Sequence, residues 1–368
     1  DNYAADDLIY VKADAVYEAE YDTGGAKDCI AYLPTSGGPT TPVVFEAYHT
    51  TPGDGGIATL NADPAGDQYT NCVKHKDATV DYIVWKNFRF TGASGYNYTC
   101  SEGDYLTFKW CRFDNGGSVG MYGNNYNVFE SCSFDNNNSG GADVDIGNLF
   151  VNCLFHNNSG RAITNSSMAL TLYNCLSYNN SSDNFYINSS AYPWLMANCT
   201  LDLGNAATDG FWNDSATPIQ CAIVNNIFYD AGTGAYAVKM DGDGGERMIA
   251  SHNCYYDNAE DPPNSNFLDV DAGNGIGNRG DVTGDPAFLD EASDDYALGP
   301  DSSCRRQGID AFFVKQFWDS FAVPTNPPTV SKEGYMDIGC MQRRDDTGSS
   351  TSARRPSAVN IDAAIGVL

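Results

Sequence analysis

Aromatic, acidic and basic side chains recur at similar places after the asparagine-rich segments in the middle of the chain. An aromatic ring beside carboxylates and basic groups commonly holds a sugar, by stacking on its face and hydrogen bonding to its hydroxyls. Aligning the strands after these segments predicts one outward column of Asp145, Thr164, Tyr186, Trp212 and Lys239, with Asp143, Arg161, Asp183 and Asp209 near its edge. We predict that Asp145, Tyr186, Trp212, Lys239, Arg161 and Asp183 contact a glycan. The alternative is ordinary solvent-facing strand residues, since Tyr and Trp favour strands.

Two acidic loops could bind calcium. The first contains Asp241 and Asp243, and the second contains Asp269 and Asp271. Calcium needs six to eight oxygen ligands, and neither loop has the spacing of an EF-hand. Because Asp and Gly also form turns, calcium stays a possible cofactor only. Zinc is not expected, because the chain has no CxxC pair and only four histidines.

The composition excludes several classes of protein. The 48 acidic and 20 basic side chains give a net charge of -28, which disfavours nucleic acid as a partner. With 42% hydrophobic residues the chain is not disordered, and no apolar run reaches the roughly 20 residues of a membrane span. Strong negative charge suits an extracellular or virion-surface protein, which is the location we expect.

The elements that position the candidate residues follow from a cysteine repeat. Short Cys-containing motifs recur every 21 to 28 residues, separated by Asn- and Gly-rich corners, with period-2 alternation and no helical period between them. Such a unit is one coil of a β-solenoid, in which equivalent side chains stack on successive coils. We predict an interior ladder of buried, reduced cysteines: Cys111, Cys132, Cys153, Cys175, Cys199 and Cys254.

Six further cysteines lie outside the predicted ladder, at Cys29, Cys72, Cys100, Cys221, Cys304 and Cys340. Their redox state does not follow from the repeat. Cys304 could pair with Cys340, and Cys29 with Cys72.

The repeats resemble those of the right-handed parallel β-helix, or pectate-lyase-like, superfamily. The likeness covers roughly residues 80–260 as coils, and residues 7–11, 48–56, 284–290, 295–298, 308–310 and 337–339 resemble its flanking segments. The resemblance implies a fold that serves lyases, hydrolases, tailspikes and structural fibres alike. The resemblance also indicates which catalytic residues an enzyme of this superfamily would carry. The Asp-Asp, Gly-His-Gly and Arg-x-Lys set of polygalacturonase-like enzymes is missing, as is an Arg beside a triple-Asp calcium site.

We therefore expect an all-β protein formed by a single right-handed parallel β-helix. Residues 1–80 are expected to form an N-terminal cap, residues 81–300 the coils, residues 301–342 a C-terminal closing segment, and residues 343–368 a polar spacer and a tail that docks onto protein neighbours. The favoured function is a non-enzymatic extracellular or virion-surface decoration, spike or fibre subunit whose face contacts a glycan or cell surface. The alternative is a secreted polysaccharide lyase or glycoside hydrolase.

Overall fold

The computed structural model describes most of the first 305 residues and short segments beyond them. The described residues are 4–13, 16–17, 21–22, 27–63, 69–75, 80–100, 103–123, 125–166, 169–188, 194–204, 208–214, 220–240, 247–258, 267–268, 276–305, 307–308 and 338–340. The two acidic loops predicted to bind calcium and the predicted docking tail lie outside them.

The chain winds through three sheets in turn, one strand per sheet in each coil after the first. Their strands pair in parallel, except that Tyr21–Asp22 pairs antiparallel with Lys27–Leu33 at the first edge of sheet III. Sheet I contains Leu8–Lys12, Val43–Tyr48, Ile83–Lys86, Thr107–Lys109, Val128–Glu130, Asn148–Val151, Leu170–Tyr173, Trp194–Ala197, Gln220–Val224, Arg247–Ser251 and Ile276–Arg279. Sheet II contains Val16–Tyr17, Ala58–Asn61, Phe88–Thr91, Arg112–Asp114, Ser133–Asp135, Leu154–His156, Leu176–Tyr178, Thr200–Asp202, Ile227–Tyr229 and Cys254–Tyr256. Sheet III contains Tyr21–Asp22, Lys27–Leu33, Asn71–His75, Tyr96–Cys100, Val119–Gly123, Gly140–Val144, Arg161–Asn165, Phe185–Ile187, Phe211–Asn213, Val238–Met240 and Phe267–Leu268. The predicted parallel β-helix is confirmed.

The corner between sheets I and II depends on one residue in the left-handed backbone conformation. Asn152, Asn174 and Asn198 adopt it with φ of 55–56°, and Asn tolerates this region better than most residues. The same position holds Trp110 in an earlier coil and His252 in a later one. The corner geometry therefore repeats even where the residue type changes, as the Asn-rich sequence predicted.

Buried rings and thiols fill the interior in columns. Phe90, Phe113, Phe134 and Phe155 stack with ring centroids 4.9–5.0 Å apart, which is about the strand spacing in a sheet. Cys111, Cys132, Cys153, Cys175 and Cys199 form a second column of fully buried side chains directly before the strands of sheet II. The cysteine ladder is confirmed for these five residues.

Cys254 does not belong to the ladder. Ile227 pairs with Cys254, so Asn226 and Asn253 occupy the ladder position in the last two coils. The Asn226 amide donates to the Met196 carbonyl and to Asn253 Oδ1, both at 3.1 Å. The prediction that Cys254 belongs to the ladder is therefore wrong by one residue. His252, and not an asparagine, is the corner residue of this coil, so the Asn-Cys motif at Asn253 and Cys254 lies one position later than in the other coils.

No disulfide joins the eleven cysteines whose side chains are described, all of which are buried. The suggested pairs Cys304–Cys340 and Cys29–Cys72 are therefore wrong. Cys304 instead packs with Cys254, Ile227 and Leu298 in a small apolar cluster. The side chain of Cys221 lies outside the description.

A third interior column consists of asparagines at the corner that leads from sheet II to sheet III. Asn137 donates to the Phe113 carbonyl at 3.0 Å and to Asn158 Oδ1 at 3.1 Å. Asn158 makes the equivalent bonds one coil later, to Phe134 and to Asn180. These buried amides join each coil to the next, as buried polar groups require partners.

The segment after the last coil packs along the outside of sheet II. The hydroxyl of Tyr296 donates to Asp202 at 2.6 Å, and the main-chain nitrogen of Gly339 donates to the Asn225 carbonyl at 2.7 Å. A two-stranded antiparallel sheet, Phe288–Asp290 with Asp295–Leu298, supports this contact. No helix in the described residues is long and apolar enough to cross a membrane.

Candidate functional site

The outward face of sheet III carries the residues predicted to contact a glycan, but the strand pairing aligns them differently from the predicted column. Asp143 pairs with Thr164, which is followed in successive coils by Tyr186, Trp212 and Lys239. Asp145 comes two residues later than the column and was placed in it wrongly. The loops between coils differ in length, so the distance of a residue from the asparagine-rich corner does not determine its position in the column.

Arg161 and Lys239 lie over the aromatic rings of this column. The guanidinium carbon of Arg161 is 3.6 Å from the ring centroid of Tyr186 and 5.6 Å from that of Trp212. The ammonium nitrogen of Lys239 is 4.0 Å from the centroid of Trp212, and the two rings are 4.8 Å apart. These are cation–π distances. The structure therefore brings together four of the six predicted residues.

Carboxylates pair with Arg161 and Lys239 and accept a hydrogen bond from Tyr186. Asp183, the fifth predicted residue, accepts from Arg161 Nε at 3.2 Å, and Asp209 lies 3.5 Å from Lys239 Nζ. The hydroxyl of Tyr186 donates to Asp214 at 3.0 Å. Burial raises the pKa of Asp209, although its hydrogen bond from Tyr236 and the charge of Lys239 act in the opposite direction.

Arg161 has unused donors. Its Nε is bonded to Asp183, and its side chain has no other hydrogen bond or ion pair in the part of the chain that the structure describes. Because a guanidinium has two terminal amino groups arranged as a fork, Arg161 can still bind one carboxylate in a bidentate manner.

Asp143 is the other unusual group on this face. Burial raises the pKa of Asp143 to about 6, and the nearby charge of Asp145 adds to the effect. Among the described residues, no hydrogen bond or ion pair satisfies its carboxylate. It lies one coil before Arg161, because Gly140 of the Asp143 strand pairs with Arg161. A partly buried carboxyl group with a pKa near neutrality is suited to proton transfer.

A second aromatic pair adjoins Asp143 on the opposite side from Tyr186. Tyr122 precedes Asp143 in the column, and its ring lies 4.9 Å from that of Tyr96. Sequence reasoning missed this pair, as it missed the partner role of Asp214. The available signal in the sequence was the recurrence of tyrosine at Tyr96, Tyr98 and Tyr122. Only the strand register separates the outward rings of Tyr96 and Tyr122 from the buried ring of Tyr98.

No group of three or more metal-binding side chains occurs in the described residues. The calcium loops containing Asp241, Asp243, Asp269 and Asp271 are not described, so calcium binding there stays a prediction. The outward face of sheet III itself carries a guanidinium with unused donors, a carboxyl group of raised pKa and aromatic rings.

Comparison with known proteins identifies the fold. No curated protein matches the sequence significantly. Among solved structures, the pectate lyase Pel9A superposes with a TM-score of 0.64 at 15% identity, covering 93% of this chain and 89% of that chain. A rhamnogalacturonan lyase has a TM-score of 0.49 at 12% identity, over 78% of this chain and 84% of that one. The family model described as "Right handed beta helix region" matches residues 98–283, half of the chain. The chain therefore belongs to the right-handed β-helix family.

Proposed function

We propose that this protein is a polysaccharide lyase that cleaves an acidic glycan on the outward face of sheet III. The observation that carries the proposal is the juxtaposition, in adjacent coils, of an unneutralised carboxyl group at Asp143 and a guanidinium with unused donors at Arg161. A lyase needs a cation that binds the uronate carboxylate and a base that removes the neighbouring proton.

A uronate unit would lie over Thr164, which occupies the column between Asp143 and Tyr186. Strands in a sheet are about 4.8 Å apart, so Asp143 and the Arg161 guanidinium would lie on opposite sides of that unit. Arg161 would bind the sugar carboxylate through its terminal amino groups. Its position over Tyr186 restricts the guanidinium to that side.

In the reaction, the Asp143 carboxylate would accept the proton from C5 of the uronate, and the C5–H electron pair would form a C4–C5 double bond. The C4–O4 bond would break, and the leaving oxygen would take a proton from solvent. Arg161 would stabilise the negative charge that develops on the sugar carboxylate, with Lys239 contributing a second positive charge. Asp143 would return its proton to water before the next turnover.

The fold similarity to a pectate lyase agrees with this proposal but is a likeness of fold alone at 15% identity. The net charge of -28 opposes a polyanionic substrate, and Asp183 and Asp209 offset much of the positive charge of Arg161 and Lys239. Binding of a sugar carboxylate therefore depends on the unused donors of Arg161. We further propose that the protein acts outside the cell or at a virion surface, where such glycans occur. The non-enzymatic glycan-contacting role is the second candidate, because Lys239 already has a carboxylate partner.

The test is incubation of the purified protein with polygalacturonate, alginate and neutral xylan, followed by ultraviolet detection of the unsaturated product. We expect an absorbing product from an acidic glycan only. Asp143→Asn is expected to lower its formation at least a hundredfold, as for loss of a general base. Asp145→Asn is the matched control and should keep most of the activity.

Three results would contradict the proposal. New reducing ends without ultraviolet absorption would indicate a hydrolase, and binding without any product would favour the non-enzymatic role. Equal activity of the Asp143→Asn protein would exclude Asp143 as the base. Thermal melting of each variant shows whether lost activity reflects lost folding.

A further inference from the structure

Among the described residues, the second aromatic pair on sheet III has no cation over its rings. Tyr96 and Tyr122 pack on each other with centroids 4.9 Å apart, so only the face of each ring that points away from the other can bind a sugar. The rings of Tyr186 and Trp212 each have a cation over one face. Within the described part of the chain, no cation lies over Tyr96 or Tyr122, and both side chains are half-buried. An aromatic face that is not already occupied is the one that can stack on a sugar.

Tyr122 is aligned with the proposed catalytic residues along the solenoid axis. The register runs from Tyr122 through Asp143, Thr164 and Tyr186 to Trp212, one residue in each of five successive coils. With about 4.8 Å between strands, Tyr122 is roughly 14 Å from Tyr186 along the axis. A sugar unit in an extended glycan is about as long as one coil is high.

We infer that Tyr96 and Tyr122 form a sugar-stacking subsite for an acidic glycan chain that runs parallel to the solenoid axis. This inference rests on the proposed function for the direction of the chain and for the position of the uronate over Thr164. The sugar on Tyr122 is then two units from the one that Arg161 binds, and the cleaved glycan must extend over Asp143 to reach it.

The subsite predicts that affinity depends on ligand length. In the Asp143→Asn protein, which should bind without cleaving, titration calorimetry with galacturonate and alginate oligomers of two to six units should show affinity rising with length for at least one of the two glycans. Tyr122→Ala should abolish that rise, which is about a tenfold loss for the longer oligomers. Dimers bound at Arg161 should lose little.

Two controls separate loss of stacking from loss of folding. Tyr122→Phe keeps the ring and should bind like the parent protein. Trp110→Ala removes a ring that is 49% exposed at a corner away from this face, and it should leave the length dependence unchanged.

The outcomes also separate the inference from the proposed function. Affinity that does not depend on length, or an unaltered length dependence in Tyr122→Ala, would overturn the subsite whether or not the wild-type protein cleaves. Length-dependent binding that Tyr122→Ala abolishes, in a wild-type protein that makes no product, would support the subsite and overturn the lyase. No binding of any galacturonate or alginate oligomer would overturn both.

Discussion

The outward faces of sheets II and III both combine arginine and aspartate, but the two faces satisfy them differently. On sheet II, Asp114 is fully buried, accepts from Arg89 Nε at 3.0 and 3.1 Å, and forms an ion pair with Arg112 at 2.8 Å. Asp135 in the next coil accepts from Arg112 at 2.7 Å and from Ser133 at 2.9 Å. On sheet III, Asp143 has no such partner in the described part of the chain, and Arg161 keeps unused donors.

The difference indicates which face is built for stability and which for a ligand. Buried charges with full sets of partners rigidify a structure, whereas removing one partner leaves an expensive unpaired charge. Burial disfavours the charged form of a carboxyl group that has no compensating partner, and burial raises the pKa of Asp143, with the charge of Asp145 adding to the effect. Such a cost is tolerated most readily where a ligand or a reaction uses the group.

The largest expected difference between the faces is in stability. Asp114→Ala should lower the free energy of unfolding by about 3 kcal/mol or more, because it leaves Arg89 and Arg112 without their shared partner. Asp143→Ala should leave stability nearly unchanged or raise it at neutral pH. Urea unfolding followed by circular dichroism measures both. Equal losses in the two variants would remove the distinction between the faces.

The next effect is the dependence on pH. The pKa of Asp143 is raised from 3.8 to about 6, so the folded protein holds this proton more tightly than the unfolded chain does. Stability from this group is therefore lost as pH rises from about 4 to about 6, and does not change further above that. Asp143→Asn should melt a few degrees above wild type at neutral pH and lose that advantage near pH 4.

The ionisation of Asp143 should also appear in the pH dependence of lyase activity. If the Asp143 carboxylate is the base, lyase activity should rise with pH through about 6 and then level off. A profile that falls over this range would instead assign Asp143 as an acid, in the manner of a glycoside hydrolase.

The smallest effect concerns the ion pair between Arg161 and Asp183. Its side chains are 29% and 13% exposed, so Asp183→Asn should change stability by less than about 1 kcal/mol. The affinity for galacturonate oligomers should rise, because the guanidinium loses a competing negative charge. A lower affinity would mean that Asp183 mainly orients the guanidinium. Lys86→Met, which removes the ion pair with Glu46 on sheet I, is the matched control and should leave affinity unchanged.

The cysteine spacing was sufficient to predict the fold, because equivalent residues must stack when coils have nearly equal lengths. Cys111, Cys132 and Cys153 are 21 residues apart, and the structure places them in one column. The prediction failed at Cys254, where the corner residue is His252 and the preceding loops are longer. When the loops of successive coils differ in length by a few residues, the spacing of the cysteines no longer marks the coil, although the strands keep the same pairing register.

The sequence predicted which residues form the candidate site, but it did not predict how their side chains are arranged. Arg161, Tyr186, Trp212 and Lys239 lie together as expected, but the sequence could not show that the cations cover the aromatic faces. Nor could it distinguish Asp143 from Asp145, since a shift of two residues keeps a side chain on the same face of a strand. Their role in glycan contact is still a prediction.

The amide ladder of Asn137, Asn158 and Asn180 makes each coil an interchangeable module. Asn137 and Asn158 each donate to a phenylalanine carbonyl one coil back and to the next asparagine of the ladder, so excision or duplication of the coil that carries Asn158 would preserve this pattern. Such a change would shorten or lengthen the outward face of sheet III by one step without altering its cross-section. The size of the ligand can thus be adjusted by coil number, independently of the residues that would react with it.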